Sequence, residues 1–395
     1  MEILLSLIKS LFPDKPSPKC GDVFIVEGLE YKITNVASKT VELTGHVGNE
    51  PTGIIVIPET VNDYSVNSIG CYAFSECRKI TSVIIPNGVT TIGVKAFMKC
   101  SGLTSIIIPN SVTTIDSFAF YGCSVLTYFM IPNSVTLIGD HAFYGCAGIT
   151  TFTIPNGVTY IGDHAFDDTG WYKTLSDGII YLDNWLIGYK GSRPTGEITI
   201  RNGTKGIAGD AFLFCEDLIT ITIPNSVTVI GYSAFKGCCR LTSIELPNSV
   251  AAIGHWAFSG CHSLTNITIP NGVTSIGYWT FSNCSGLRSI IIPNSVTHIG
   301  NEAFKSCYYL SSITIGNSVT YIDKGVFAWC SDIKDIYCYA DPKALTWYKD
   351  DDAFKYNKQT LCHVRADMLD AYNKKFNNIN VTFVGDLNNE GDRMN

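Results

Sequence analysis

Residues Leu103–Cys123 read LTSIIIPNSVTTIDSFAFYGC, and close copies of this stretch return through most of the 395-residue chain. The proline of the I-P-N step recurs every 23 residues, and one phenylalanine and one cysteine per copy keep the same register. The prolines in that register are Pro86, Pro109, Pro132, Pro155, Pro224, Pro247, Pro270 and Pro293. A fixed period of this length predicts a solenoid of stacked coils.

Each part of the repeat has a structural interpretation. Leu103, Ile106 and Ile108 alternate with polar or variable residues, which predicts a strand whose stacked copies form one parallel sheet. Pro109 ends that strand because proline cannot donate a backbone hydrogen bond. The A-F-x-x-C segment is predicted to close the coil as a turn or short helical turn on the other side, with its Phe and Cys buried.

Two positions after the strand look conformationally special. Most copies have Gly after the I of T-x-I, and Asp116 and Asp323 replace it in two of them, so we predict a left-handed backbone there. Asn110 and its counterparts are predicted to form a side-chain ladder that satisfies backbone groups of the turn.

The unit L-T-S-I-x-I-P-N-S-V-T-x-I-G-x-x-A-F-x-x-C resembles the BspA-type leucine-rich repeat of bacterial surface proteins, over residues 54–334. The segments GLEYKITN, VELTGHV, GIIVIPETV and YSVNSIGCYAF resemble the N-terminal cap of that family. The resemblance implies an α/β leucine-rich-repeat solenoid, a right-handed coil capped at both ends. It also implies a secreted or cell-surface protein that attaches to host matrix proteins or to other cells.

The pattern divides the chain into five regions. They are a leader or short N-terminal helix at 1–20, an N-terminal β cap at 21–53, the repeats at 54–334, a C-terminal cap at 335–385 and a disordered tail at 386–395. Residues 167–197 interrupt the repeats, and Ile179–Leu182 with Trp185–Tyr189 predict a β-hairpin inside that interruption. In the C-terminal cap we expect a helix near residues 366–375 and a strand near 381–384.

The export route is left open by the sequence. Glu2 stands where a signal peptide has basic residues, and Lys9 interrupts the apolar stretch Ile3–Ile8, so residues 1–20 match a signal peptide poorly. No apolar run approaches the ~18 residues of a membrane span, so we expect no transmembrane segment.

The net charge and the cysteine pattern argue against several classes of protein. The net charge of −7 opposes nucleic-acid binding, which requires clustered Lys and Arg. The absence of a C-x-x-C pair opposes a zinc ribbon. Most of the 15 cysteines lie on the repeat, where we predict buried thiols outside any disulfide. These are Cys77, Cys100, Cys123, Cys146, Cys215, Cys238, Cys261, Cys284, Cys307 and Cys330.

A search for reactive groups finds one candidate cluster. The two G-D-H-A-F copies bring Asp140, His141, Asp163 and His164 into register, which is compatible with a metal site. Duplication of a surface turn explains the same pattern, and we favour that interpretation. Since no nucleophile, zinc-protease, phosphate-binding or dinucleotide motif is present, we predict a non-enzyme without metal or cofactor.

Two surfaces are candidates for partner binding. One is the outward side of the sheet, with an apolar patch at Ile84, Ile107 and Met130, although β-propensity alone could select such residues. The other is the variable pair before A-F, which becomes aromatic in neighbouring coils; the predicted ligand-binding residues are Tyr232, His255, Trp256, Tyr278 and Trp279. We therefore predict a protein-binding scaffold of the adhesin type, with a glycan-binding module or an intracellular scaffold as alternatives.

Overall fold

The computed structural model describes residues 18–348 and 360–387, except 378 and 380. These residues form two compact units. The first unit runs to Gly157 and includes Phe166–Lys173; the second comprises Val158–Ala165 and the described residues from Thr174 onward. Each unit stacks 23-residue coils with parallel strand pairing, which confirms the predicted repeat solenoid.

The first unit opens with antiparallel strands and continues as parallel coils. Strands β1, β2 and β3 pair antiparallel, β3 then pairs parallel with β6, and the row continues through β8, β10 and β11. A separate parallel sheet has the order β4-β7-β9, and β5 pairs antiparallel with β6. The elements are β1 (Val23–Val26), β2 (Leu29–Asn35), β3 (Thr40–His46), β4 (Gly53–Val56), β5 (Thr60–Val61), β6 (Tyr64–Ile69), β7 (Ile80–Ile84), β8 (Thr91–Ile92), β9 (Ser105–Ile107), β10 (Thr114–Ile115), β11 (Leu137–Ile138) and helix α1 (Gly170–Thr174).

The second unit contains a hairpin and four sheets. Strands β13 and β14 pair antiparallel with Leu182 opposite Trp185, and β14 leads into the row β16-β18-β20. The other sheets have the orders β15-β17-β19, β21-β23-β25-β27 and β22-β24-β26-β28-β29. The elements are β12 (Tyr160–Ile161), β13 (Gly178–Leu182), β14 (Trp185–Lys190), β15 (Gly196–Thr199), β16 (Gly206–Ile207), β17 (Leu218–Thr222), β18 (Val229–Ile230), β19 (Ser243–Ile244), β20 (Ala252–Ile253), β21 (Ser275–Ile276), β22 (Ser289–Ile292), β23 (His298–Ile299), β24 (Ser312–Ile315), β25 (Tyr321–Ile322), β26 (Asp335–Cys338), β27 (Thr346–Trp347), β28 (Leu361–Arg365), a 3-10 helix (Ala366–Met368), α2 (Leu369–Lys375) and β29 (Thr382–Leu387).

Most coils contribute two strands rather than the single strand we expected, although the coils at 126–131, 149–154 and 264–269 lack the first of them. The S-I-x-I segment forms one row of strands, and the T-x-I segment forms a second row, in which Thr114 pairs with Leu137 and Ile115 with Ile138. Coils stacked at strand spacing allow any extended segment in register to pair with its neighbour. The repeats therefore form more than one parallel sheet, whereas we predicted a single sheet. The repeat strands pair in parallel, as predicted.

The A-F-x-x-C segment forms consecutive turns, not a helical turn. In one coil Lys95 and Lys99 have left-handed φ angles of 57° and 58°. The amide of Phe97 donates to the carbonyl of Ala119 in the next coil at 2.8 Å. Because these amides bond between coils, the turn side is also tied together by backbone hydrogen bonds.

At Gly254 the glycine after T-x-I is explained by a close approach between coils, whereas Asp116 and Asp323 occupy the same position in two other coils. A Cβ on Gly254 would lie 2.5 Å from the carbonyl carbon of Gly231, and the φ angle of Gly254 is not left-handed. The left-handed position is two residues later, where Trp256 has a φ of 61°. Our prediction of a left-handed glycine was therefore wrong.

The core is a stack of identical residues. Phe97 and Phe120 are parallel within 3° with ring centroids 5.4 Å apart, and Phe235 and Phe258 repeat this geometry at 5.4 Å in the second unit. All the repeat phenylalanines are buried. The repeat isoleucines, valines and leucines surround them, so each coil buries its apolar side against the next.

The repeat cysteines are buried thiols, as predicted, and they have a hydrogen-bonding role that we did not predict. The Sγ of Cys100 donates to the carbonyl of Phe74 at 3.0 Å, and that of Cys261 donates to Phe235 at 3.2 Å. Burial raises the pKa of the Cys215 thiol to about 11 and that of Cys284 to about 12. These groups therefore stay protonated at neutral pH.

Serine, not asparagine, satisfies the turn between the two strand rows. The hydroxyl of Ser111 donates to the carbonyl of Val89 at 2.7 Å, and Ser249 donates likewise to Val227 at 2.6 Å. The preceding asparagines are exposed throughout the described repeats. One contact of the kind expected for an asparagine ladder is present at Asn294, whose Oδ1 accepts the amide of Asn317 at 2.9 Å.

The ends of the chain are described only in part. The predicted leader or helix at 1–20 has residues 18–20 described, and the acidic Asp350–Asp352 lies outside the described residues. Of the predicted tail at 386–395, Asp386 and Leu387 belong to β29 and the rest lies outside the described residues. Among the residues that the structure describes, no helix is long and apolar enough to cross a membrane.

The close coil contact at Gly254 predicts a specific loss of stability. We expect Gly254→Ala to lower the free energy of unfolding by about 1–3 kcal/mol, because the new methyl group meets backbone atoms that cannot move independently. The measurement is chemical denaturation. As a control, Gly45→Ala would place its methyl 3.7 Å from the nearest atom and should be tolerated; equal losses would contradict this account.

The buried thiols predict a selective labelling pattern. All 15 cysteines lie in described residues, and Cys20 and Cys71 are the exposed ones. We expect a thiol reagent to label these two rapidly in the native protein and the others only after denaturation, as read by mass spectrometry. Rapid native labelling of Cys261 would show that the core opens far more readily than its packing implies.

Candidate binding surfaces

The predicted aromatic cluster assembles on the turn side of the second unit. We use that name for Tyr232, His255, Trp256, Tyr278 and Trp279. The rings of Trp256 and Trp279 approach to 4.3 Å between centroids. Those of His255 and Tyr278 stack at 4.7 Å, within 10° of parallel. Tyr232 occupies the same position as His255 one coil earlier and is exposed.

The two tryptophans are half-buried rather than open to solvent. The Nε1 of Trp279 donates to Oε2 of Glu302 at 2.7 Å, and Lys305 pairs with the same oxygen at 2.6 Å. Although burial alone raises the pKa of Glu302, the hydrogen bonds from Lys305 and Trp279 hold that pKa below its usual value. Nζ of Lys236 lies 4.1 Å from the ring centroid of Trp256. The two indoles are thus each engaged by a neighbouring charged side chain.

The exposed edge of the cluster is formed by His255, Tyr278 and Tyr232. Nδ1 of His255 accepts the backbone amide of Tyr278 at 2.8 Å, and burial lowers the pKa of this imidazole. The neutral ring therefore keeps its acceptor and holds Tyr278 in the stack. Tyr278 is 47% exposed and offers its phenol to solvent.

A comparable aromatic group exists in the first unit and was missed by our sequence analysis. Phe118 and His141 stack at 4.8 Å, and Tyr121 and Tyr144 stack at 5.1 Å. Lys95 lies 5.4 Å from the centroid of Phe118. Counting the 23-residue register from Trp256 back to Phe118 and His141 would have identified this group.

An exposed apolar surface of the first unit follows the sheet β4-β7-β9 and continues to Tyr128 and Met130 of the next coil. We call it the apolar stripe and define it by two neighbouring rows, which contain Val56, Ile84, Ile107 and Met130, and Ile54 and Tyr128. Its most exposed members are Met130 at 71% and Ile54 at 67%. Ser82 and Ser105 complete the second row and hydrogen-bond to each other at 3.0 Å.

The second unit has a different composition at the positions that correspond to the apolar stripe. Thr199 pairs with Thr222 there, and further along the chain Ile291 pairs with Thr314. Threonine and isoleucine both suit a strand, so strand formation alone does not require a continuous aliphatic row. The first unit therefore carries an apolar surface that the repeat itself does not demand.

The histidine and aspartate residues form a different group from the one predicted. Within the second unit, Asp163, His164 and Asp210 place donor atoms within 4.8 Å of one another, with Nε2 of His164 4.0 Å from Oδ2 of Asp210. Asp210 lies 46 residues after His164, which is two repeat lengths, and the structure shows that it belongs to the neighbouring coil, since the amide of Gly209 donates to the carbonyl of Ile161. Such groups are common on surfaces without a bound ion, so this arrangement alone defines no metal site.

Comparison with solved structures finds several proteins to which this chain is similar. A leucine-rich repeat protein from Bacteroides ovatus is similar at 24% identity, covering 91% of this chain and 99% of that one, with a TM-score of 0.35. The pneumococcal vaccine antigen PcpA is similar at 17% identity, covering 93% and 99%, with a TM-score of 0.41. A leucine-rich repeat protein from Eubacterium ventriosum is similar at 24% identity, covering 85% and 95%, with a TM-score of 0.42. Among curated proteins none matches.

The repeats themselves match a family described as BspA type Leucine rich repeat region. The match comprises 6 copies over residues 55–175, 189–308 and 253–381, which together span more than half of the chain. This agrees with the resemblance carried by the I-P-N and A-F-x-x-C segments, and with the stacked parallel coils of both units. The chain belongs to the BspA-type leucine-rich repeat family.

Proposed function

We propose that this chain is a non-catalytic, adhesin-type scaffold that binds a protein partner, namely a host matrix or cell-surface protein. Its family supports a protein-interaction role. The observation that carries the proposal is the apolar stripe, which exposes six large side chains in two neighbouring rows. Contiguous apolar surface of this kind is rare on soluble proteins unless it binds something.

The chemistry of the apolar stripe favours a protein over a sugar. Val56, Ile84, Ile107 and Met130 are aliphatic or thioether side chains that offer no hydrogen bonds to sugar hydroxyls. Methionine adapts its shape to irregular apolar partners, and Met130 is the most exposed member. Tyr128 stands at the edge, where a phenol can combine apolar contact with a hydrogen bond.

The aromatic cluster is proposed as a second contact surface. Tyr278, Tyr232 and His255 present exposed rings, while Trp256 and Trp279 are half-buried. Tyrosines in such settings contribute strongly to protein interfaces. A glycan ligand is the alternative at this cluster, because the stacked His255 and Tyr278 rings also suit the apolar face of a sugar.

The apolar stripe is tested by replacing its apolar side chains with threonine, which stands at corresponding positions of the second unit. We expect Ile84→Thr, Ile107→Thr and Met130→Thr, combined in one variant, to weaken binding to immobilised host matrix proteins at least tenfold, since each buried anchor contributes about 2 kcal/mol at a hot spot. Surface plasmon resonance against fibronectin, fibrinogen, laminin and collagen measures this. The fold should persist because threonine is a good strand residue.

Val125→Thr is the matched control, because Val125 is exposed in the same unit but lies outside the apolar stripe. It should leave binding unchanged. If the parent protein binds none of these matrix proteins, the adhesin proposal is wrong. If the triple variant binds as well as the parent, the apolar stripe is not the contact surface.

In the aromatic cluster we expect the exposed tyrosines to contribute to partner binding and the half-buried tryptophans to contribute to stability. We expect Tyr232→Ala with Tyr278→Ala to weaken partner or glycan capture while leaving the melting temperature nearly unchanged, because both rings are exposed. Trp256→Ala with Trp279→Ala should lower the melting temperature, since it removes the stacked indoles and the partner of Glu302. The reverse pattern would mean that the tyrosines are packing residues and the tryptophans are the contact surface.

A further inference from the structure

The asparagines of the I-P-N step form an exposed column whose amides are largely unused by the fold. Asn248 and Asn271 are exposed and make no side-chain hydrogen bond within the described residues. The neighbouring serines satisfy the turn in their place, as Ser249 and Ser295 do toward the carbonyls of Val227 and Val273. Each coil therefore presents a carboxamide that can both donate and accept hydrogen bonds.

In the second unit this column borders a groove. Two adjoining cavities of about 900 and 410 Å³ share Asn271, Ile291 and Pro293 in their walls. Asn248 borders the smaller cavity, and Asn294 and Asn317 border the larger one. These volumes are in the range of ligand sites in proteins.

The groove is lined by apolar residues and hydroxyl groups, and Ile291 is the most exposed of its aliphatic side chains. Ile291 is 66% exposed, and Thr314 lies beside it on the next strand. Thr268 lines the smaller cavity. At the far end Arg365 is paired with Asp367 at 2.6 Å, so its charge is compensated. The groove is thus neutral and rich in hydrogen-bonding groups.

A local departure from the repeat opens the larger cavity. Gly316 stands where the preceding coils have proline. A Cβ at this position would lie 2.7 Å from the carbonyl oxygen of Pro293 and 2.8 Å from Oδ1 of Asn294. The glycine therefore leaves room for the Asn294 side chain to turn toward the amide of Asn317.

We propose that this groove binds a neutral polysaccharide whose chain runs along the stacking direction, with about one pyranose ring per coil. The amides repeat at the strand spacing of about 4.8 Å, which is close to the advance of one ring in an extended, equatorially linked chain. Sugar hydroxyls match the donor and acceptor pair of each carboxamide, and the C–H face of a ring fits against Ile291.

An extended peptide fits this row less well. It advances about 3.3 Å per residue, so its backbone groups fall out of step with amides set one coil apart. Acidic polymers are also disfavoured, because Arg365 already has Asp367 as its partner. This proposal is independent of the protein-binding apolar stripe, which lies in the first unit.

The test is native gel electrophoresis of the full chain through gels that contain a soluble polysaccharide. Hydroxyethyl cellulose and glucomannan are the neutral extended probes, with polygalacturonate as the acidic comparison. We expect at least one neutral probe to retard the protein, and Asn248→Ala with Asn271→Ala to weaken that affinity at least tenfold. The double variant should keep its melting temperature, because these side chains make no internal hydrogen bond.

Asn87→Ala with Asn110→Ala is the matched control, since it removes two exposed I-P-N asparagines of the first unit, neither of which lines the groove. It should bind like the parent. Ile291→Asp should also weaken binding, by placing a charge against the sugar ring. The proposal is overturned if neither neutral probe retards the protein, or if the groove variants bind like the parent. It is also overturned if the acidic polygalacturonate, or carboxymethylated casein as an extended peptide, binds instead of the neutral probes.

Discussion

Hydrogen bonding from each coil to the next is the interaction on which the structure depends. On the turn side the amide of Phe97 donates to the carbonyl of Ala119, and on the strand side the hydroxyl of Thr104 donates to the carbonyl of Thr81. Both bonds join positions in adjacent coils. They hold neighbouring coils at a nearly constant separation, so a side chain that fits in one coil fits at the same place in the next. The stacked phenylalanines and buried thiols follow from that regular spacing.

Residues that face away from these contacts can differ from one coil to the next, and the candidate binding surfaces consist of such residues. The outward rows of the first unit are aliphatic, whereas the equivalent rows of the second unit contain threonine and a single exposed isoleucine at Ile291. On the turn side, Trp256 and Trp279 adopt the same left-handed backbone as Lys95. The backbone there tolerates many side chains, because the conformation is set by inter-coil bonds and not by the residue.

The sequence was sufficient for the fold and for the core, and less so for the surfaces. Regular spacing shows that a position is constrained, but not which contact constrains it. Gly254 was assigned to a left-handed backbone, when the actual restriction is the backbone of Gly231. The asparagine of the I-P-N step recurs more regularly than the serine after it, which alternates with glycine, yet it is Ser249 and not Asn248 that hydrogen-bonds to the carbonyl of Val227. Asp210 was missed because it lies two repeat lengths after His164, and only the structure shows that the interruption leaves no repeat coil between them.

The direction of the inter-coil hydrogen bonds has a mechanical consequence. In each unit these bonds lie roughly along the stacking direction, since they connect parallel strands of successive coils. Tension applied along that direction loads the outermost coil before the others, so the hydrogen bonds between coils break one coil after another. Resistance to force is then set by one coil at a time, and extension proceeds in steps of 23 residues. A tether built this way lengthens under load and absorbs work while its remaining coils keep their structure.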